Sequence, residues 1–179
     1  MQVTRRYWAT AGMGFLLAVL AVVFARPTLL VGAVGLGAWL LGRQYLFVRA
    51  LSRTMEATTI EQLPAQDRVV AGNELPITLV ATLTAASPLA IDAEIGLPVS
   101  ATGTDAEDRS LHIAPGDEQA DTTVSARWAV AGSYEFPRPA LALSDADGLF
   151  AERLSRGTTP SIVVEPQGPR NIHVGEGGE

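Results

Sequence analysis

The chain has 179 residues, 47% of them hydrophobic and 18% charged, and its only side-chain cations besides two histidines are 13 arginines. With no lysine there is no Walker-type phosphate loop, Schiff-base amine or Ser–Lys pair, and with no cysteine there is no disulfide framework, thiolate metal site or cysteine nucleophile. The net charge of -6 divides sharply: residues 1–53 carry six arginines and no acid, whereas residues 54–179 carry the other 7 arginines against all 19 acids, so +6 is followed by -12. A basic, apolar head suits a membrane with anionic lipids, and an acidic body argues against nucleic acid, whose phosphates need clustered positive charge. The acidic, Lys-free body also has a halophile-like composition suited to a salt-rich cytosol, although GC-rich coding produces the same bias toward arginine.

Residues 7–25 contain no charge, and at about 1.5 Å per residue they reach roughly 28 Å, close to the ~30 Å of a hydrocarbon core. A second apolar stretch, residues 28–48, is interrupted only by Arg43 and Gln44, which lie near enough to its end to snorkel into the headgroups. Pro27 suits the first turn of that second helix. Residues 1–53 are therefore expected to form a two-helix transmembrane hairpin, with Arg5, Arg6, Tyr7, Trp8, Arg43 and Tyr45 at the membrane interface. Arginines flank both ends of the pair and only Arg26 marks the tip, which predicts a multi-pass protein of the cell membrane with both termini cytoplasmic. Small residues at spacing four (Gly14 with Ala18, Ala33 with Gly37, Ala38 with Gly42) would let the helices approach closely. Two rivals stand beside this reading. Thr4-Arg5-Arg6-Tyr7-Trp8 looks like a twin-arginine export signal with cleavage near Ala25, giving an exported cell-surface binding protein. The other rival is a soluble hairpin buried in a core.

Beyond residue 53 the period changes to two. Leu75, Ile77, Leu79, Ala81 and Leu83 alternate with more polar neighbours, as do Ile91, Ala93, Ile95 and Leu97, and Val124, Ala126, Trp128 and Val130. Shorter runs read as strands at Leu111 with Ile113, Tyr134 with Phe136, Leu141 with Leu143 and Ile162 with Val164. Turn residues separate them, notably Ala71-Gly72-Asn73, Pro115-Gly116-Asp117 and Asp145-Ala146-Asp147-Gly148. Seven or eight short strands in residues 54–166 predict an all-β antiparallel sandwich of immunoglobulin-like type, with Trp128 as core anchor and without the cysteine pair. Residues 101–110 are polar enough for a mobile loop, and residues 167–179 read as a flexible linker.

Chemistry is sparse. His112 and His173 are 61 positions apart with no ligand-like partner at regular spacing, and His112 alternates with Leu111 and Ile113 and so should face water. There is no Gly-x-Ser-x-Gly elbow and no Asp-x-Ser-x-Ser metal motif. Asp145-Ala146-Asp147-Gly148 faintly resembles a calcium loop but lacks the further ligands and closing Glu. A turn fits better, with the Asp145 carboxylate closing it, Gly148 at positive φ, and Leu149 and Phe150 re-entering the sheet. The acidic segments 105–108 and 117–121 read as solvated faces. No cofactor, metal or small-molecule substrate is predicted. An Asp145/Asp147 couple leaves a carboxylate-based hydrolase as the enzymatic alternative.

The hairpin, then Arg68-Val69-Val70-Ala71-Gly72-Asn73-Glu74, Ala131-Gly132-Ser133-Tyr134, Asp145-Ala146-Asp147-Gly148-Leu149-Phe150 and Val163-Val164-Glu165-Pro166 in that order, resembles the N-terminal half of the domain-of-unknown-function 58 family. The family's turn usually reads Asp-Pro-Phe-Gly-Leu-Phe, and Ala146 and Asp147 depart from it; so does Ala131, where the family usually has Arg. The resemblance implies a membrane-anchored, non-enzymatic scaffold or binding module with a cytoplasmic β-domain, associated with MoxR-type AAA ATPases and followed by a von Willebrand A-like domain. That second half is not in these 179 residues, so the resemblance implies either a fragment or a half carried by another chain. The expected partners are the lipid bilayer and such a domain or ATPase. Asp145, Asp147, Gly148, Leu149 and Phe150 are the candidate partner-binding residues, on the expectation that strand alternation turns Leu149 or Phe150 outward.

Overall fold

A computed structural model describes residues 2–103 and 109–168. A two-residue strand β1 (Gln2–Val3) leads into helix α1 (Arg5–Val23), and a short turn joins this to helix α2 (Pro27–Ala57). Thr4 caps α1, its hydroxyl accepting the Tyr7 N–H at 3.4 Å, and Pro27 opens α2 as expected. In the turn Ala25 takes φ 50°, a left-handed conformation costly for a residue with a Cβ. Within the pair a Cβ on Gly14 would sit 3.3 Å from Leu36, so this glycine does admit its neighbour. Gly37 and Gly42 face open space, and the close-approach role expected of them is not seen.

The second helix does not stop near residue 48. It runs 31 residues, about 46 Å at the usual rise, and passes at Ala57 directly into the sandwich. The reason lies in its last turns, where buried Phe47 and Thr54 and half-buried Ala50, Leu51 and Met55 recur at helical spacing and pack on the β-domain.

Eleven further strands follow: β2 (Thr58–Pro64), β3 (Arg68–Val70), β4 (Glu74–Leu83), β5 (Ala90–Glu94), β6 (Ala101–Gly103), β7 (Ser110–Ile113), β8 (Gln119–Trp128), β9 (Gly132–Glu135), β10 (Ala140–Ser144), β11 (Phe150–Ser155) and β12 (Ser161–Glu165). One sheet has the order β1-β11-β10-β5-β7, a second β2-β4-β8-β6, and a short third β3-β12-β9. Among the described residues the sandwich is antiparallel, as expected, with the single parallel pair β3 and β12. Inner faces meet in one core. Leu75, Ile77, Leu79, Ala81 and Leu83 of β4 are all buried, as the alternation required, and Trp128 is 1% exposed among Tyr134 and Phe136.

Three sequence expectations give way here. Val130 lies beyond the end of β8 and is exposed. Residues 101–103 are paired with β8 as β6 and are no loop, whereas residues 104–108 lie outside the described part of the chain. Strand β2 escaped notice because its inward face is Thr58, Ile60 and Gln62, two of them polar. Gln62 is 1% exposed and fully satisfied: its amide donates to the carbonyls of Pro137 (2.9 Å) and Thr158 (3.2 Å) and its oxygen accepts the Gly96 N–H (2.9 Å). The chain there runs so close to Pro137 that a Cβ at Gly96 would overlap its carbonyl oxygen.

Candidate functional site

The turn between β10 and β11 sits where the helical pair meets the sandwich. Its organiser is Asp145, 9% exposed. One carboxylate oxygen accepts the N–H groups of Leu149 (2.7 Å) and Phe150 (2.9 Å), and the other accepts the Arg43 guanidinium of α2 at 3.3 Å. Gly148 has φ 65° and donates to the Asp145 carbonyl at 2.9 Å, so the expected turn chemistry is present, the carboxylate reaching four and five residues ahead. Arg43 pairs with the Asp147 carboxylate as well.

The segment ahead of α1 closes the same turn from the other side. Thr4 donates its hydroxyl to the Gly148 carbonyl at 2.6 Å and its N–H to the Leu149 carbonyl at 3.1 Å, and Arg6 donates to the Asp147 carbonyl at 3.1 Å. Val3 pairs with Phe150 and Gln2 with Ala151 in the β1–β11 ladder. Phe150 is fully buried, its ring centroid 5.5 Å from Tyr7 of α1 and 5.6 Å from Phe47 of α2, with which it stacks. All five turn residues named from the sequence are thus brought together. The expectation that Leu149 or Phe150 projects outward fails, since they are 4% and 0% exposed. Alternation sends neighbours to opposite faces, but at this end the hairpin covers the sheet, so neither face is open.

Among the residues expected at a membrane interface, Arg5, Trp8 and Tyr45 are exposed. Tyr7 is half-buried against Phe150 and Arg6 holds the turn. Arg43 was expected to reach headgroups; its side chain is 31% exposed and turned toward two carboxylates instead, with its Nε buried and unpartnered. A half-buried pair of this kind stabilises little in itself, but removing one partner strands the other, at about 3–5 kcal/mol when burial is complete.

A second tie lies further along α2. The Thr54 and Ser87 hydroxyls meet at 2.7 Å in a buried contact, Ser87 also accepts the Leu89 N–H at 3.0 Å, and the Thr84 N–H reaches the Ala57 carbonyl at 3.0 Å. Arg156 donates to the Met55 carbonyl near the helix C-terminus, where a cation is favoured. Between the two ties runs a groove of about 710 Å³, lined on the helix side by Arg43, Leu46, Arg49, Ala50 and Arg53 and on the sandwich side by Ala85, Ala86, Pro88, Leu89 and Asp145. The sequence offered no local sign of either tie, because Arg43 and Asp145 stand 102 positions apart and Thr54 and Ser87 33.

His112 faces water as expected, and its Nδ1 lies 2.6 Å from exposed Asp92 across the β5–β7 pair. Residues 117–121 are described only as ordinary surface and strand. Among the described residues no three His, Asp or Glu side chains converge to hold a metal ion. His173 and most of the expected linker, residues 169–179, lie outside the described chain.

No protein-family model matches the chain, and no curated protein matches it. Among solved structures it is similar to a non-cellulosomal cohesin from the hyperthermophilic archaeon Archaeoglobus fulgidus, at 13% identity over 60% of this chain and 91% of that one, with a TM-score of 0.38. The cupredoxin domain of amoB from Nitrosocaldus yellowstonii gives 15% identity, 67% and 96% coverage and a TM-score of 0.38. A type II cohesin domain from the cellulosome of Acetivibrio cellulolyticus gives 12%, 59% and 95%, and 0.33. Likeness at this level identifies no activity.

Proposed function

We propose that the chain is a membrane-anchored binding or scaffolding module: a helical hairpin that crosses the bilayer, carrying an immunoglobulin-like sandwich on the cytoplasmic side. Two helices are long and apolar enough to cross, and large apolar side chains cover their outer surface, among them Phe15, Val22, Val31 and Leu41 at 67–79% exposure. A core helix of a soluble protein would hide these, and water would penalise them. The observation that carries the reading is the β1–β11 ladder with Thr4 locked to Gly148, because it brings the start of α1 to the sandwich into which the end of α2 already runs. Both ends of the hairpin then lie on one side of the membrane. A cleaved or uncleaved export signal leaves its basic end in the cytoplasm and its passenger outside, which would break that ladder. Arg5, Arg6, Arg43, Arg49 and Arg53 at the sandwich end against Arg26 at the tip favour the cytoplasm for the shared side.

The resemblance to the domain-of-unknown-function 58 family supplies the partner in this proposal, a von Willebrand A-like domain or a MoxR-type ATPase docking on the sandwich. The Asp145 turn is occupied by the hairpin, so docking through it would act on the joint between the two parts. A hydrolase built on Asp145 and Asp147 is disfavoured by the same geometry, since three protein donors already hold the Asp145 carboxylate and Arg43 also takes Asp147.

The absence of native cysteine makes the test clean. In intact cells a membrane-impermeant maleimide should label Arg26→Cys at the tip and leave Val130→Cys on the sandwich unlabelled until lysis. Labelling of Val130→Cys from outside would contradict the topology.

A further inference from the structure

The groove between α2 and the segment joining β4 to β5 contains two cations that no protein group answers. Arg43, at its far end, is consumed by Asp145 and Asp147. Arg49 and Arg53, four residues apart and so on one face of α2, line the groove and make no hydrogen bond or ion pair among the described residues. Asp145 is the one acid in the lining, and Arg43 already neutralises it. Thr54 is the other polar group in the lining and its hydroxyl is taken by Ser87, while the remaining wall, with Leu46, Ala50, Pro88 and Leu89, is apolar. An occupant must therefore carry negative charge at one part and apolar surface at another.

Position along the helix narrows the choice. Gly14 faces Leu36 and Gly32 faces Leu17, so the antiparallel register sets Tyr7 and Trp8 level with Arg43 and Tyr45. With that level as the aromatic belt, Arg49 lies about 6 Å and Arg53 about 12 Å beyond it along the axis. A headgroup layer is roughly 5–8 Å thick, so Arg49 is within it and Arg53 can reach back into it on its long stem. We propose that this groove holds an anionic phospholipid of the cytoplasmic leaflet, its phosphate between Arg49 and Arg53 and its glycerol and first methylenes against Leu46, Pro88 and Leu89. The bound lipid would brace the sandwich against the hairpin between the two ties. This site rests on the membrane reading above, and its test must be able to fail separately.

The full chain is reconstituted into vesicles of phosphatidylglycerol and phosphatidylcholine in equal amounts, and lipid retained after gentle detergent release is read by native mass spectrometry. Two arginines beside an anionic headgroup should favour phosphatidylglycerol by roughly thirty-fold. The double variant Arg49→Gln/Arg53→Gln should retain the two lipids equally, while Arg26→Gln at the tip keeps the full preference. Alkaline extraction of the same vesicles reports insertion independently. Protein that is extracted overturns the membrane reading and the site with it. Protein that stays inserted yet shows no preference, or keeps its preference in the double variant, overturns the lipid site alone.

Discussion

The sandwich and the hairpin use the same apolar residue types and dispose of them in opposite ways. In β4 every second residue is buried and its neighbours face out, so Leu75, Ile77 and Leu79 are at most 1% exposed. In α1 and α2 only Ala21, Leu40, Phe47 and Thr54 are buried, while Phe15 is 72% exposed and Val22 79%. The sandwich is organised against its own core; the hairpin leaves most of its apolar surface exposed, surface that the proposed bilayer would cover. The joint between them combines both kinds of contact: Phe150 packs against Tyr7 and Phe47, and around it Asp145, Asp147, Arg43, Arg6 and Thr4 make the polar ties.

The largest expected effect breaks the sandwich alone. Trp128→Ala should cost about 4 kcal/mol in urea unfolding of the detergent-solubilised chain, as for other buried aromatics, and should leave the hairpin in the membrane fraction. Asp145→Ala strikes the joint. It strands the Leu149 and Phe150 N–H groups and leaves Arg43 with half-exposed Asp147 alone, so a loss of about 3 kcal/mol is expected. Amide exchange should rise at Val3 and Phe150 while β4 stays protected, which separates a broken joint from a broken core. Asp147→Asn removes only a half-exposed partner of Arg43 and should cost less than about 1 kcal/mol by the same titration. Smallest of all, Phe15→Ala should change stability in bilayers by no more than about 0.5 kcal/mol, since the side chain makes no core contact. A loss as large as that of Trp128→Ala would mean that Phe15 packs against protein.

The sequence made much of this architecture readable because each region repeats one pattern. The alternation in β4 and β8 and the uncharged run before Arg26 are each long enough to define a period. What stayed hidden was whatever broke its pattern for a reason supplied from afar. Strand β2 carries buried Gln62, whose partners Gly96, Pro137 and Thr158 are remote in the chain. The last turns of α2 look polar, yet Phe47, Ala50, Leu51 and Thr54 keep helical spacing and could have revealed the extension. At the turn, the roles of Asp145 and Gly148 were legible because they act on the backbone within five residues. The partnership with Arg43 and Thr4 was not, and so Phe150 seemed free to face a partner when the hairpin already covers it.

The central claim is that the segment ahead of α1 and the sandwich share one side of the membrane and touch. Gln2 and Ala151 are register partners in the β1–β11 ladder, at a separation that a disulfide can bridge. In isolated membranes treated with a mild oxidant, the double variant Gln2→Cys/Ala151→Cys should form an intrachain disulfide, seen as the joined peptide by mass spectrometry and absent from either single variant. An intact chain in which both cysteines stay reduced, or label from opposite faces of the membrane, would contradict the account.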